Sequence, residues 1–216
     1  MKFINGVKAC FVKARRDRNR RKWLSKLRKR NKNYDFSLIT NNCIGGIIYH
    51  DLGLQFRSPT INLTVQNFPL FVEHFKHYMS CELIETVSDF SFPTGQLCSD
   101  LYPPITICFN HYKSFEEAKS KWNERKGRIN YDNLFFLMEC YNNYYPDEFE
   151  AYKKLPYSKN KAVLTHLRCD DVPDAHYISC DTGTVDNIIW AQILEIKNSG
   201  KRYLDEFDYV SFLNDR

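Results

Sequence analysis

Short apolar runs alternate along the chain with longer stretches in which apolar positions recur every three or four residues, the pattern of strands interleaved with helices. Residues 35–40 read as a strand, 41–46 as a turn, 47–52 as a short helical segment and 60–65 as a second extended run. Phe68, Phe71, Val72, Phe75 and Met79 predict one amphipathic helix over residues 68–79, with Asn67 as its cap and Pro69 in its first turn. Residues 82–87 predict a strand, 91–104 a loose connection rich in Pro, Gly and Ser, and 105–109 a short buried strand. Ser114 followed by Glu117 is a capping-box pattern for a helix that carries Phe115, Ala118 and Trp122 and that Gly127 ends. Leu134, Phe135, Met138, Cys140 and Tyr141 predict a further helix over residues 130–143. Residues 161–167 and 176–180 read as strands, 186–197 as a helix and 203–213 as the closing segment. The alternation predicts an α/β fold, a mixed and largely parallel sheet flanked by helices.

The first 34 residues follow another pattern. Phe3, Ile4, Val7, Cys10 and Phe11, then Trp23, Leu24 and Leu27, form a narrow apolar stripe in a segment with fourteen Lys and Arg and one acid, Asp17. That segment carries +13 of a total of +5, so residues 35–216 carry −8. We expect a basic helical N-terminal extension over residues 1–34 and a single α/β domain over residues 35–216. With 43% hydrophobic residues in 216, the chain buries a full-sized core, which excludes a disordered tail or a disulfide-stapled miniprotein. A nucleic-acid-coating protein would spread cations over its body, and Trp23 is the one aromatic among the basic residues from 13 to 32, so no nucleic-acid partner is expected. Residues 1–33 suit an anionic membrane surface, where each cation adds about 1 kcal/mol. Lys8 interrupts the one early apolar run, and no run approaches a membrane span, so no signal peptide is expected and the location predicted is cytoplasmic, peripheral on the inner face of the membrane. Eight cysteines without metal-site spacing predict free thiols and no metal.

The candidate chemistry starts at the turn between the first strand and the first short helix. Cys43 sits there at a helix N-terminus, where the dipole is expected to lower a thiol's pKa, which makes it a candidate nucleophile. Asn42 and the turn amides are candidate oxyanion donors, and Gly45 and Gly46 would let a substrate approach the backbone. The base expected is His111, at the carboxyl end of the strand over 105–109, with His166 as second choice and His50 as a residue that lines the same pocket. His74 and His77 read as a helix face. Arg125, Arg128 and Asn130 flank the helix-ending Gly127 and form a candidate phosphate site; the structural alternative pairs an arginine with Glu124 or Asp132.

Two groups of motifs carry a resemblance. The first is Ser37-Leu38-Ile39-Thr40-Asn41-Asn42-Cys43-Ile44-Gly45-Gly46 with Tyr49, Leu52-Gly53-Leu54 and Ser58-Pro59-Thr60. The second is His111-Tyr112-Lys113-Ser114-Phe115-Glu116-Glu117-Ala118 with Lys121-Trp122, Arg125, Arg128-Ile129-Asn130 and Asn133. Together they resemble a bacterial family of unknown function associated with exopolysaccharide and capsule biosynthesis, over most of residues 35–200. Ile44 stands where that family usually has an aromatic. The resemblance implies an intracellular role in surface-glycan assembly and an α/β fold, with a glycan precursor or lipid-linked sugar as partner. The residues add an expected reaction, transfer of an acyl group, acetyl from coenzyme A for example, through Cys43 to a sugar hydroxyl. A glycosyltransferase using a nucleotide- or lipid-linked sugar is the enzymatic alternative, although Asp170-Asp171 is the nearest approach to an acidic metal motif. A membrane-docked adaptor is the non-enzymatic one, and it predicts Cys43 and His111 more than about 8 Å apart, beyond the reach of one bridging water.

Overall fold

The structure, a computed structural model, describes residues 2–141, 145–157, 159–184 and 186–215, with side chains from residue 11 onward. The basic segment is one continuous helix, α1 (Lys2–Arg30), and the expected stripe residues Phe3, Ile4, Val7 and Cys10 have side chains outside the described set. Then come β1 (Ser37–Thr40), α2 (Ile44–Leu52), β2 (Thr64–Val65), α3 (Phe68–Glu73), α4 (Phe75–Ser80), β3 (Leu83–Thr86), β4 (Thr94–Leu97) and β5 (Ile105–Cys108). The second half holds α5 (Phe115–Lys126), β6 (Leu134–Cys140), α6 (Pro146–Lys153), β7 (Lys161–Thr165), β8 (Ala175–Tyr177), a small hairpin of β9 (Gly183–Thr184) and β10 (Asn187–Ile188), and α7 (Tyr209–Asn214).

The expected α/β class holds. A parallel sheet runs in the order β1, β6, β7, β8, with Thr40 opposite Leu137 and Cys140 opposite Thr165. A second, antiparallel sheet runs β2, β5, β4, β3. Side chains alternate across β6. Phe136, Met138 and Cys140 enter a core with Phe68, Phe71, Phe75, Trp122 and the antiparallel sheet, while Phe135 and Leu137 enter another with Ile48, Tyr49, Val210 and Leu213.

That double burial corrects one expectation. Residues 134–140 form the strand β6, not part of a helix over 130–143, because a parallel strand covered on both faces reads as a continuous apolar run, and this one also matches helical spacing. Asn142 and Asn143, at the far end of the expected helix, lie outside the described residues. The expected helix over 68–79 breaks into α3 and α4 at His74 (φ −113°, ψ 31°), whose ring stacks on Tyr102 at 3.6 Å between centroids. Asn67 precedes α3 in the left-handed region, and its side chain makes no capping bond. The loose connection over 91–104 contains β4, a middle strand hidden by Gly95, where an added Cβ would lie 2.7 Å from the Phe115 ring. Residues 186–197 are not a helix: β10 and a 3-10 turn (Gln192–Leu194) replace it, with Ile193 buried and Trp190 56% exposed, too little of an apolar face to seat a helix. The capping box at Ser114 forms as expected, its hydroxyl accepting from the Glu117 N–H.

The second half of α1 is part of the second core through Leu27, with Trp23 and Leu24 packed against it. Arg20 fixes it further. Its guanidinium is buried, paired with Asp51 at the end of α2 and with Asp205, and it donates to the Gly200 carbonyl at 3.3 Å. Arg202 also reaches Asp51 at 2.5 Å. Gly200 has φ +84°, and a Cβ there would lie 2.5 Å from the Arg20 backbone nitrogen, so the turn admits only glycine at this contact. The opposite face of α1 exposes Arg15, Arg18, Lys22 and Lys29. No described helix is long and apolar enough to cross a membrane. Replacing Arg20 with Met leaves Asp205 buried without its main partner and is expected to cost about 3 kcal/mol in urea unfolding; a loss under about 1 kcal/mol would show that α1 does not depend on this pairing.

Candidate functional site

Where β1 ends, the chain has to leave a buried sheet and start α2 within three residues, and side chains satisfy the backbone there. The Thr40 hydroxyl donates to the Asn42 carbonyl at 2.8 Å. Asn41 extends the sheet beyond the last β1 pair: its Oδ1 accepts from the Glu139 N–H at 3.0 Å and its Nδ2 donates to the Glu139 carbonyl at 2.9 Å. The Asn42 Oδ1 then accepts from the Ile44 N–H at 3.0 Å, capping the first free amide of α2. Tyr49 pins the helix to β1, its hydroxyl donating to the Phe36 carbonyl and accepting from the Leu38 N–H. The N–H groups of Cys43, Gly45 and Gly46 form no hydrogen bond with any described residue.

Cys43 occupies the N-cap position of α2, half-buried. Its Sγ lies 3.3 Å from Nε2 of His111, which enters from the turn after β5 in the other sheet. The two sheets are stitched together beside this pair, since the Val65 N–H of β2 donates to the Asn41 carbonyl at 2.9 Å. Sequence positions 68 residues apart thus form a thiol–imidazole pair, against the separation that an adaptor predicts. Burial, and after it the nearby charge of Glu139, push the Cys43 thiol above the ordinary value. The lowering expected from the helix N-terminus is therefore overturned: desolvation of a half-buried thiolate outweighs the dipole.

The remaining expected site residues are placed differently. Gly45 and Gly46 serve packing, because a Cβ on Gly45 would lie 2.6 Å from the Thr40 hydroxyl and one on Gly46 2.8 Å from the Asn62 amide oxygen. The glycines let α2 approach the protein's own loop, not a substrate. Arg125 donates to the Ile61 carbonyl at 3.2 Å and to the Tyr112 hydroxyl at 2.7 Å, with its guanidinium over the Phe56 ring. Arg128 donates to the Phe56 carbonyl at 3.4 Å and pairs with Glu124, the structural alternative. Asn130 receives its bonds around β1, its N–H donating to the Ser37 hydroxyl at 2.8 Å and its side chain to Asp35 at 3.2 Å. The two arginines brace the loop over 56–61, Arg125 also holds the His111 turn through Tyr112, and Asn130 braces the start of β1, so each of the three residues expected at a phosphate site has a structural partner of its own. His50 is exposed on the far end of α2, away from any pocket with Cys43, and His74 and His77 contact Tyr102 and Ser99.

Sequence reasoning missed Glu139. Its carboxylate is buried on the Phe135 and Leu137 side of β6, accepting from Asn42 Nδ2 at 2.5 Å and lying 3.2 Å from His166 Nε2. The other ring nitrogen of His166 meets the Cys180 Sγ at 3.4 Å, and Tyr141 packs on the ring. With the proton on Nε2, the imidazole donates to Glu139 and accepts from the Cys180 thiol. Burial, and next Glu139, push Cys180 up to about 12, so that thiol stays protonated. The signal was in the sequence: Glu139 is the one acid inside an otherwise apolar strand. No group of three or more His, Cys, Asp or Glu side chains is arranged to hold a metal ion among the described residues. Peptide-resolved alkylation of Cys43 with iodoacetamide across pH is expected to show a midpoint above the free-thiol value of about 8.5; a midpoint well below it would restore the activated-thiolate reading.

Comparison with known proteins places the chain. The model of a family described as a domain of unknown function (DUF1919) matches residues 14–214, a span that takes in the body-packed half of α1. An uncharacterized protein of Haemophilus influenzae is 32% identical over 191 residues, covering 87% of this chain and 88% of that protein. The chain belongs to the DUF1919 family.

Proposed function

We propose that the protein is a transferase of bacterial surface-polysaccharide assembly that passes an acyl group, acetyl in the simplest case, through Cys43 to a sugar hydroxyl. The observation that carries the reaction is the 3.3 Å contact of Cys43 and His111 at the carboxyl ends of the parallel strands, where open α/β sheets hold their ligands. The glycan setting rests on the motif resemblance. His111 Nε2 takes the thiol proton as Sγ bonds to the carbonyl carbon of an acyl thioester such as acetyl-coenzyme A. The donor's sulfur leaves with that proton, and Cys43 holds the acyl group as a thioester. The sugar hydroxyl then gives its proton to His111 while its oxygen attacks the same carbonyl carbon; the Cys43 C–S bond breaks and the proton returns to Sγ. In both steps the N–H groups of Gly45 and Gly46, free like that of Cys43, are candidate donors for the developing oxyanion. Asn42, whose amide is engaged by Glu139 and Ile44, positions the turn.

Incubation with acetyl-coenzyme A is expected to add one acetyl group to Cys43, read by peptide mass spectrometry. Cys43→Ala should abolish that adduct and the transfer to glycan, and His111→Gln should slow both by about a hundredfold or more. Full glycan modification by Cys43→Ala would end the thiol mechanism and leave the glycosyltransferase alternative.

The outward face of α1 supports a cytoplasmic, membrane-peripheral location, near lipid-linked sugars. It presents Arg15, Arg18, Lys22 and Lys29 beside a groove of about 570 Å³ lined by Arg21, Leu24, Ser25, Arg28 and Lys29, with Phe11 and Val12 exposed at the near end. Replacing those four cations with Ser should weaken binding to anionic vesicles by about a thousandfold at low salt, from about 1 kcal/mol each. Binding that ignores both the substitutions and the lipid charge would refute docking through this face.

A further inference from the structure

The acyl-transfer reading uses Cys43, His111 and two backbone amides, and leaves a buried polar chain beneath them without a role. We propose that Glu139 is a positioning residue: through its hydrogen bond to Asn42, held from behind by His166, it sets the turn that aims Cys43 at His111. The inference rests on the proposed site being the reactive one.

The geometry argues for it in three steps. Asn42 has two polar ends and one conformation that serves both: Nδ2 on the Glu139 carboxylate at 2.5 Å and Oδ1 on the Ile44 N–H at 3.0 Å. Rotating that amide would break two bonds together, so the carboxylate fixes the cap of α2, and the next residue in the chain is Cys43. The carboxylate is itself immobile. Its backbone is bonded on both sides to the Asn41 side chain, and its second oxygen faces His166, whose ring is held between Cys180 and Tyr141. The ionisable groups around Glu139 are Cys43 from the turn, Cys140 and Tyr141 from the end of β6, His166 after β7 and Cys180 after β8. No cation of Lys or Arg pairs with it among the described residues, so its partners are the neutral amide of Asn42, the imidazole of His166 and the hydroxyl of Tyr141. A carboxylate buried for packing alone would be replaced at less cost by an apolar residue. Here it is the one group on that face able to accept from Asn42.

A double-mutant cycle read by Cys43 alkylation tests this in the full-length protein, independently of any transfer activity. In the parent, His111→Gln is expected to slow Cys43 alkylation near neutral pH about fivefold, because the thiol loses its proton acceptor. In Glu139→Ala, and separately in Asn42→Ala, the same His111 substitution should change the rate by less than about twofold, since Cys43 no longer faces it. Glu139→Gln can still accept from Asn42; it should keep the His111 effect and move the alkylation profile to lower pH by removing the nearby negative charge. An undiminished fivefold effect of His111→Gln in both alanine backgrounds would overturn the positioning role. Loss of the effect in Glu139→Gln with its retention in Asn42→Ala would overturn it too, by assigning control to charge. If Glu139→Ala loses cooperative unfolding, Asn42→Ala, which leaves the Glu139–His166 pair intact, decides. A cycle that couples as expected in a protein that never acquires an acyl group would sink the transfer reaction and leave the positioning in place.

Discussion

Glu139 is a carboxylate on a sheet face whose other β6 side chains, Phe135 and Leu137, are apolar, and most of what surrounds the site answers to that. A buried carboxylate must find hydrogen-bond partners or stay uncharged. The carboxylate's partners are Asn42 after β1, His166 after β7, with Cys180 behind it after β8, and the Tyr141 hydroxyl just past the end of β6, while the Asn41 side chain holds the Glu139 backbone. The requirement also fixes register, since a slip of β6 by one residue would turn Glu139 into the core of Phe68, Phe71 and Trp122 and bring Met138 or Cys140 to the amide of Asn42. The alternation of β6 and the geometry of the Cys43 turn are therefore one constraint.

The second half of the site comes from the other sheet, and the contacts that join the sheets are the residues that sequence reasoning assigned to a ligand. Arg125 ties Tyr112, next to His111, to the Ile61 carbonyl, and Tyr112 reaches the same carbonyl at 3.3 Å. Gly46 packs against Ile61 and Asn62 on the other side of that loop. The loop is thus a wedge between α2 and the His111 turn, held by an arginine fork on one flank and a missing side chain on the other. Motif residues that look like anion binders in sequence here fix a distance between two catalytic candidates.

Much of this was legible. Alternating strands and helices, the capping box at Ser114 and the Cys43 turn follow from local patterns plus the rule that chemistry gathers at the carboxyl ends of parallel strands; His111 stands out in the sequence as well, but it meets Cys43 from the antiparallel sheet, which that rule does not cover. What misled was the apolar run of residues 134–140, which satisfies helical spacing and double-sided burial alike; only its partners in β1 and β7 decide between them. Glycine gave the opposite error, hiding β4 in a segment that looked like a loop. Arg125 and Arg128 could not be assigned from sequence because the carbonyls they meet, on Ile61 and Phe56, carry no side-chain signature.

The raised thiol of Cys43 sets the order of events in the proposed chemistry. A helix N-terminus supplies partial positive charge, but half-burial removes hydration from the thiolate and Glu139 adds a repulsive charge, so the resting state keeps its proton. Such a thiol reacts when its proton is removed in concert with attack, which requires an acceptor already within reach, and His111 is placed 3.3 Å away for this. The same arrangement disfavours the resting ion pair that would make the sulfur reactive toward any oxidant or electrophile. Glu139 then has two opposed effects on one atom: its charge holds the thiol protonated, and its hydrogen bond to Asn42 holds that thiol where the base can take the proton. A carboxylate in this position trades resting thiolate population for dependence on His111, which in the proposed reaction couples bond formation at sulfur to the arrival of an acyl donor.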